Sequence, residues 1–452
     1  MIPLNPGARR EQDLPMPLSR SFASALACAA VLGVQAADFS IHDGDRVVFL
    51  GDSITEQRLY TTYIEAYTLT RHPTWNLTFR NVGWGGDTAW LRQRAHPNED
   101  ELFAATGADL DSKVENSVGR GLGRDVLPLK PTFVTVKFGM NDHAYQTFRP
   151  DIFRAYERSQ TEIAKVLSAN GARVAFLTPQ PIEEKRPNPD QDVRNQSLRK
   201  FSDGLKEVAT KGNAGFIDQF DPYLKIMMAE RAKNASAFIG GGDAVHPGPA
   251  GQTLMAWAVL KGLGATSLVS KANIQVASNS AATEGCVVSE VHATAESVSF
   301  DRLDSALPMP IDTRAKAALK LAPVLDELSQ YSLRVTGLAE GSYVITIDGT
   351  RAATATAAEL GTGINLSNSE GPVTAQAREV LALVFQKNDR YFARWRDVQL
   401  YSFPGWAKSG ETDALREKEL KRLDGEIAAT EAKINEARKP KKHHFEVKLA
   451  AK

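Results

Sequence analysis

The sequence predicts an α/β protein with a doubly wound sheet, and three observations carry that expectation. Short apolar or β-branched runs recur at 47–50, 77–80, 133–136, 173–178 and 215–218. Between them lie helix-like stretches, such as 154–167 with its apolar residues on one face and the apolar 254–263. Glycine-rich or polar blocks follow several of the strand-like runs at once, at the strand ends where open α/β sheets bind ligands.

In chain order the first element is a leader. Arg20 precedes the small, apolar run 22–34, and Val34-Gln35-Ala36 closes it with residues suited to signal-peptidase cleavage. The run is too short for an ordinary transmembrane helix. Residues 1–36 are therefore expected to be a signal peptide cut near Ala36, giving a periplasmic or extracellular protein with no integral membrane segment after cleavage. Met16-Pro17-Leu18-Ser19-Arg20 offers a compact basic start of its own. Arg9-Arg10 lies far from the apolar run, and Ala25-Leu26-Ala27 before Cys28 makes a weak lipobox. Cleavage leaves Cys286 as the single cysteine, so no internal disulfide is available.

The strand-like Val47-Val48-Phe49-Leu50 ends in Gly51-Asp52-Ser53-Ile54, which presents a serine at a strand end. Gly, Asp and Ser are also ordinary turn residues. After 77–80 comes Asn81-Val82-Gly83-Trp84-Gly85-Gly86-Asp87-Thr88. Its glycines let backbone amides approach a developing oxyanion, or serve a turn with positive φ. Gly139-Met140-Asn141-Asp142 follows 133–136, and an Asn amide there supplies another donor or ends the strand in a turn. Asp243-Ala244-Val245-His246-Pro247 places an Asp three residues before a His, a spacing that lets the carboxylate meet Nδ1 while Nε2 faces a serine. The order Ser, two donor segments, Asp, His makes coincidence improbable.

Together the four blocks closely resemble the SGNH/GDSL hydrolase superfamily, in the manner of exported bacterial members with a C-terminal extension. The resemblance covers about residues 44–262. It implies a flavodoxin-like three-layer α/β/α domain with a parallel sheet. It also implies Ser53 as nucleophile, His246 as general base and acid, and Asp243 as its orienting partner. The oxyanion hole implied is the amides of Ser53 and Gly86 with the Asn141 side chain, Gly83 being the fallback for Gly86. Ile54 stands where the family name has leucine. The reaction implied is ester hydrolysis through an acyl-enzyme, which needs no cofactor and no metal.

Composition agrees. With 452 residues, 42% of them hydrophobic, the chain can build a large core and more than one domain. Lys+Arg and Asp+Glu both number 54, so no global charge excess attracts nucleic acid. The histidines are scattered, without C-x-x-C or H-E-x-x-H spacing, and Gly119-Arg120-Gly121-Leu122-Gly123 lacks the P-loop ending.

The expected organisation is a hydrolase domain over 38–265, a smaller C-terminal α+β region over 266–403 and a helical tail over 404–452. Strands are expected at 287–291, 297–300, 331–336 and 343–347, the last two as a hairpin around Ala339-Glu340-Gly341. A helix is expected over about 375–400, with the aromatic-basic 390–396 as a half-buried segment. Leu420, Leu423, Ile427, Ile434 and Ala437 mark a helix packed on its own chain, and His443-His444 a solvated basic end. Export and a second region favour a small-molecule or polysaccharide ester as substrate, above all an acetylated carbohydrate, with Trp84 and Trp90 either stacking on sugar or packing in the core. The alternatives are a lipase or thioesterase type acting on small or lipid esters, and a noncatalytic glycan-binding envelope protein. Oligomeric state is not legible.

Overall fold

Strand β1 (Arg46–Gly51) is the second strand of the five-stranded parallel sheet β2-β1-β3-β4-β5, next to its edge. Its partners are β2 (Thr78–Asn81) and β3 (Phe133–Lys137), followed outward by β4 (Arg173–Leu177) and β5 (Gly215–Ile217). The computed structural model describes residues 39–95, 107–184 and 187–450. The expected signal peptide, with Met16, Ala36 and Cys28, lies outside the described residues. The strand order 2-1-3-4-5 is the flavodoxin-like one, which reverses direction between β1 and β3 and opens a crevice there.

Successive residues of a strand point to opposite faces, and both faces of this sheet are covered. Val47 and Phe49 join one apolar cluster with Ile64 and Leu254. Val48 and Leu50 join the other with Val134, Val118 and Ile163. That two-sided burial is why β1 reads as a continuous apolar run. On the first side lie α2 (Leu59–Arg71) and α8 (Pro249–Gly262), after the short α1 (Ser53–Glu56). Helices α4 (Gly107–Asp125) and α5 (Pro150–Ala169) cover the second, with α3 (Arg92–Ala95) between β2 and α4. Helices α6 (Val193–Lys211) and α7 (Phe220–Lys233) flank β5.

Helix α2 is buried over nearly its whole length although it carries Thr61, Thr62, Glu65 and Thr68. The C-terminal half of the chain supplies the reason. Helix α9 (Pro372–Phe392) lies against it, with Lys387 Nζ 2.6 Å from Glu65 and the Asn388 amide donating to Thr62 and Glu65. The described residues from 39 onward form one compact unit.

Strands are present at all four C-terminal positions expected, but the pairing differs. Strand β10 (Gln330–Thr336) is parallel to β6 (Leu268–Gln275) in the sheet β13-β10-β6-β7, in which β7 is Ser280–Glu284 and β13 is Ile364–Asn365. Strand β11 (Ser342–Ile347) belongs to the antiparallel sheet β12-β11-β14-β9-β8, in which β8 is Cys286–Ala293 and β9 is Ser297–Asp304. The expected hairpin at 339–341 is therefore a crossing between sheets. The true hairpin partner of β11 is β12 (Thr350–Thr356), because Asp348 and Gly349 both take positive φ and make the tight turn.

The tail also departs from expectation. Helix α10 (Gly410–Ala437) buries Leu423, Ile427 and Ile434 against its own chain, as the pattern indicated. Beyond it, Lys442–Leu449 is strand β14, inserted between β11 and β9. His443 is buried with Nδ1 2.7 Å from Asp348, whereas His444 is exposed, 2.8 Å from Asp301, so the segment is a paired strand with one of its two histidines in solvent. The helix expected over 375–400 is α-helical to Phe392 and π-helical over Ala393–Gln399. Among the described residues no helix is long and apolar enough to cross a membrane.

Candidate active site

Ser53 opens α1 directly after β1 and lies partly exposed at the carboxyl end of the sheet. Asp52 caps the turn, its buried carboxylate accepting the Ile54 amide at 3.0 Å. A Cβ on Gly51 would stand 2.2 Å from Thr55 Oγ1 and 2.7 Å from the Lys137 carbonyl, so only glycine permits this close turn. Beneath the serine, Lys137 Nζ faces Asp52 at 3.7 Å, and neither side chain is exposed. Burial pushes the Lys137 ammonium toward its neutral form, and the Asp52 charge opposes that.

The loop before α8 returns His246 to this serine across 193 residues of chain. Ser53 Oγ stands 2.9 Å from Nε2, while Nδ1 stands 3.0 Å from Asp243 Oδ2 and 3.2 Å from Oδ1. Asp243 Oδ1 also accepts the amides of Val245 and His246, both at 2.7 Å. Burial alone would raise the Asp243 carboxyl, but these amides and the imidazole hold it below the ordinary carboxylate value. Gln252 ties the loop to the nucleophile's neighbourhood, donating to the Pro247 carbonyl and accepting the Tyr60 amide, both at 3.0 Å. The pair is open to solvent, with the His246 side chain 34% exposed and that of Asp243 66%.

The second block folds as a turn in which the Asp87 amide bonds the Trp84 carbonyl. Its third position, Gly86, has φ +72, a conformation that glycine adopts without strain. The fallback donor is excluded, because the Gly83 amide is spent on Asn81 Oδ1 at 2.9 Å. The Gly85 amide is spent on the Glu56 carboxylate. Among the described residues, no hydrogen-bond partner occupies the amides of Gly86 or Ser53. Asn141 donates through Nδ2 to the Asp87 carbonyl at 2.8 Å, which brings it against the same loop. The loop rests on the buried Arg94, which pairs with Asp87 at 2.8 Å and Asp125 at 3.0 Å. Trp90 is buried, so it packs in the core and cannot face a sugar.

Three participants were not legible in the blocks. The Tyr145 hydroxyl donates to Asn141 Oδ1 at 3.1 Å and fixes which end of the amide faces the loop. Tyr145 and its neighbour Ala144 have φ of +55 and +52, an unusual pair for non-glycine residues. Arg92 Nε holds the Gly86 carbonyl at 2.9 Å. Arg396, far beyond the blocks, stacks on Trp84 with its guanidinium carbon 3.6 Å from the ring centre.

His143, next to Asp142, is buried among Tyr145 and Phe201 with neither ring nitrogen hydrogen-bonded. Burial, with a smaller push from Arg194, lowers its pKa to about 4. The unfolded chain binds that proton near pH 6.5, so this residue withdraws stability as pH falls from about 6.5 to about 4. Chemical denaturation of wild type and His143→Phe across this range tests it. The variant is expected to gain on wild type by up to about 3 kcal/mol as the pH falls. A constant difference would refute the linkage.

Residues 49–254 match the family model described as GDSL-like Lipase/Acylhydrolase family. No curated protein matches the chain. Among solved structures, BT4096, described as a gut microbial diltiazem-metabolizing enzyme, aligns with a TM-score of 0.74 at 23% identity. That alignment covers 91% of this chain and 98% of the other, so the likeness in fold includes the C-terminal half. Axe2, an acetylxylan esterase from Geobacillus stearothermophilus, aligns with a TM-score of 0.38 at 20% identity over 50% of this chain and 96% of its own.

Proposed function

Because residues 49–254 are a GDSL-like lipase/acylhydrolase domain, we propose that this ester hydrolase is an exported serine esterase that removes small acyl groups from carbohydrate. The observation that carries the mechanism is the continuous contact from Ser53 Oγ through both nitrogens of His246 to Asp243. Ser53 attacks the ester carbonyl and His246 takes its proton. The carbonyl oxygen, now anionic, lies among the amides of Ser53 and Gly86 and the Asn141 Nδ2. His246 then protonates the departing alcohol and afterwards activates water to release the acid. Asp243 keeps Nδ1 protonated and stabilises the imidazolium without taking the proton.

Two features support the choice of substrate. The exposed His246 and Asp243 leave room for a bulky alcohol on the leaving-group side. The leader expected over residues 1–36 would bring the enzyme to extracellular glycans. Trp84 offers no free stacking face on its Arg396 side.

Acetate release from acetylated xylan, pectin and chitin oligosaccharides, beside p-nitrophenyl acetate and longer esters, tests the reading with Ser53→Ala as blank. Ser53-dependent release from one glycan supports it. Activity confined to p-nitrophenyl esters would remove the carbohydrate and keep the esterase. Failure of a fluorophosphonate probe to label Ser53 would favour a binding protein instead.

A further inference from the structure

We infer that Arg396, supplied by the C-terminal half of the chain, is a positioning residue for the Gly85-Gly86 segment of the oxyanion loop. The inference rests on the serine-esterase reading, since it concerns how the Gly86 donor is held. Arg396 has two partners at the start of that segment, Trp84 and Glu56. Its guanidinium lies over the Trp84 ring, which precedes Gly85. Its Nη2 stands 3.4 Å from Glu56 Oε1. Glu56 ends α1, three residues after Ser53, and its carboxylate accepts the Gly85 amide. A Cβ on Gly85 would fall 2.8 Å from Glu56 Oε2, so carboxylate and loop are in close contact. The peptide that offers the Gly86 amide is therefore fixed at one end by Glu56 and at the other by Arg92 on the Gly86 carbonyl.

Arg396 reaches this place through the π-helical segment Ala393–Gln399. This wider-turned segment follows α9 without a break. Trp395, buried in the same segment, meets Trp84 edge-on at 5.8 Å. The segment is held from behind by α10, where Arg394 pairs with Asp424 at 2.7 Å and Arg390 with Glu426 at 3.0 Å. Arg58, between α1 and α2, makes a further contact with α9, 3.2 Å from Asp389 and stacked on Phe392. Arg396, Trp395 and the α9 and α10 residues behind them all lie beyond residue 254, where the family match ends, while Arg94 and Arg124, also at the Trp84 ring, lie within it. A hydrolase domain cut there would keep Ser53, Asp243 and His246 but lose the outer support of Gly85-Gly86.

A misaligned oxyanion donor weakens transition-state binding and leaves substrate binding nearly as it was. The test uses the full chain, with kcat, KM and melting temperature measured on p-nitrophenyl acetate for Arg396→Gln, Arg396→Lys, Glu56→Gln, the Arg396→Gln/Glu56→Gln double variant and Arg394→Gln. Arg396→Gln is expected to lower kcat roughly 10- to 100-fold, with KM within about two-fold. Arg396→Lys restores part of the rate by keeping a cation beside Glu56. The double variant is expected to be no slower than the slower single variant, because both act through one contact. Arg394→Gln loosens the segment's hold on α10 but leaves kcat near wild type.

Unchanged kcat in Arg396→Gln, with turnover still dependent on Ser53, would overturn the positioning role alone. An equal kcat loss in Arg394→Gln would overturn it too, by showing that the loss follows docking of the segment. Turnover that survives Ser53→Ala would overturn both this inference and the esterase reading.

Discussion

Replacing Ser53 with alanine is expected to lower ester turnover by about 10⁵- to 10⁶-fold, the scale seen when a serine hydrolase loses its nucleophile. Among the described residues the hydroxyl bonds His246 Nε2 at 2.9 Å. Removing it leaves the cap by Asp52 and the turn at Gly51 untouched, so stability should stay within about 0.5 kcal/mol of wild type. The residual rate would reflect the oxyanion donors and binding alone. His246→Ala should fall nearly as far, and the pair together little further, since both remove the same step. The measurement is acetate release with active-site labelling as a parallel readout. Retention of even a few per cent of the rate by Ser53→Ala would move the nucleophile elsewhere.

The candidate reacting groups are legible because each is local in sequence. Gly51-Asp52-Ser53 needs only a strand that ends and a helix that begins. Asp243 and His246 need only one loop, in which Asp243 Oδ1 accepts two neighbouring amides and still reaches the imidazole. The resemblance already favours Gly86 with Gly83 as fallback, and the structure agrees with that preference in that Asn81 and Glu56 take the other two amides. Tyr145 and Arg396 carry no local signal. The first depends on two residues at positive φ, and the second on a π-helical turn more than 300 residues after Glu56.

The C-terminal sheets show the same limit. Strand positions followed from alternation, but partners did not, because β10 and β11 enter different sheets. Strand β14 did carry a period of two, with His443, Phe445 and Val447 buried and Lys442, His444 and Lys448 exposed. The run of basic residues hid it. A central strand drawn from the chain's far end has its evidence in β9 and β11, which lie about 100 residues or more away in sequence.

Asn141→Ala is expected to lower kcat by roughly 10²- to 10³-fold with little change in KM, the usual penalty for losing one oxyanion donor. The side chain is fixed at both ends, Oδ1 by Tyr145 and Nδ2 by the Asp87 carbonyl. The second Nδ2 hydrogen is then left for the reacting oxygen, with no reorganisation required at the moment charge develops. Truncation also leaves the Asp87 carbonyl without this donor, a loss of about 1–3 kcal/mol, so rates must be compared below the variant's melting temperature. Asn141→Asp should be at least as slow, since it sets a carboxylate where two oxygens need a donor. Tyr145→Phe keeps the amide but frees its orientation, and a loss of only a few-fold is expected. Steady-state kinetics on p-nitrophenyl acetate distinguish these cases. If Asn141→Ala kept full kcat, the two backbone amides would hold the oxyanion alone, and the contacts from Tyr145 through Asn141 to Asp87 would serve only to brace the loop.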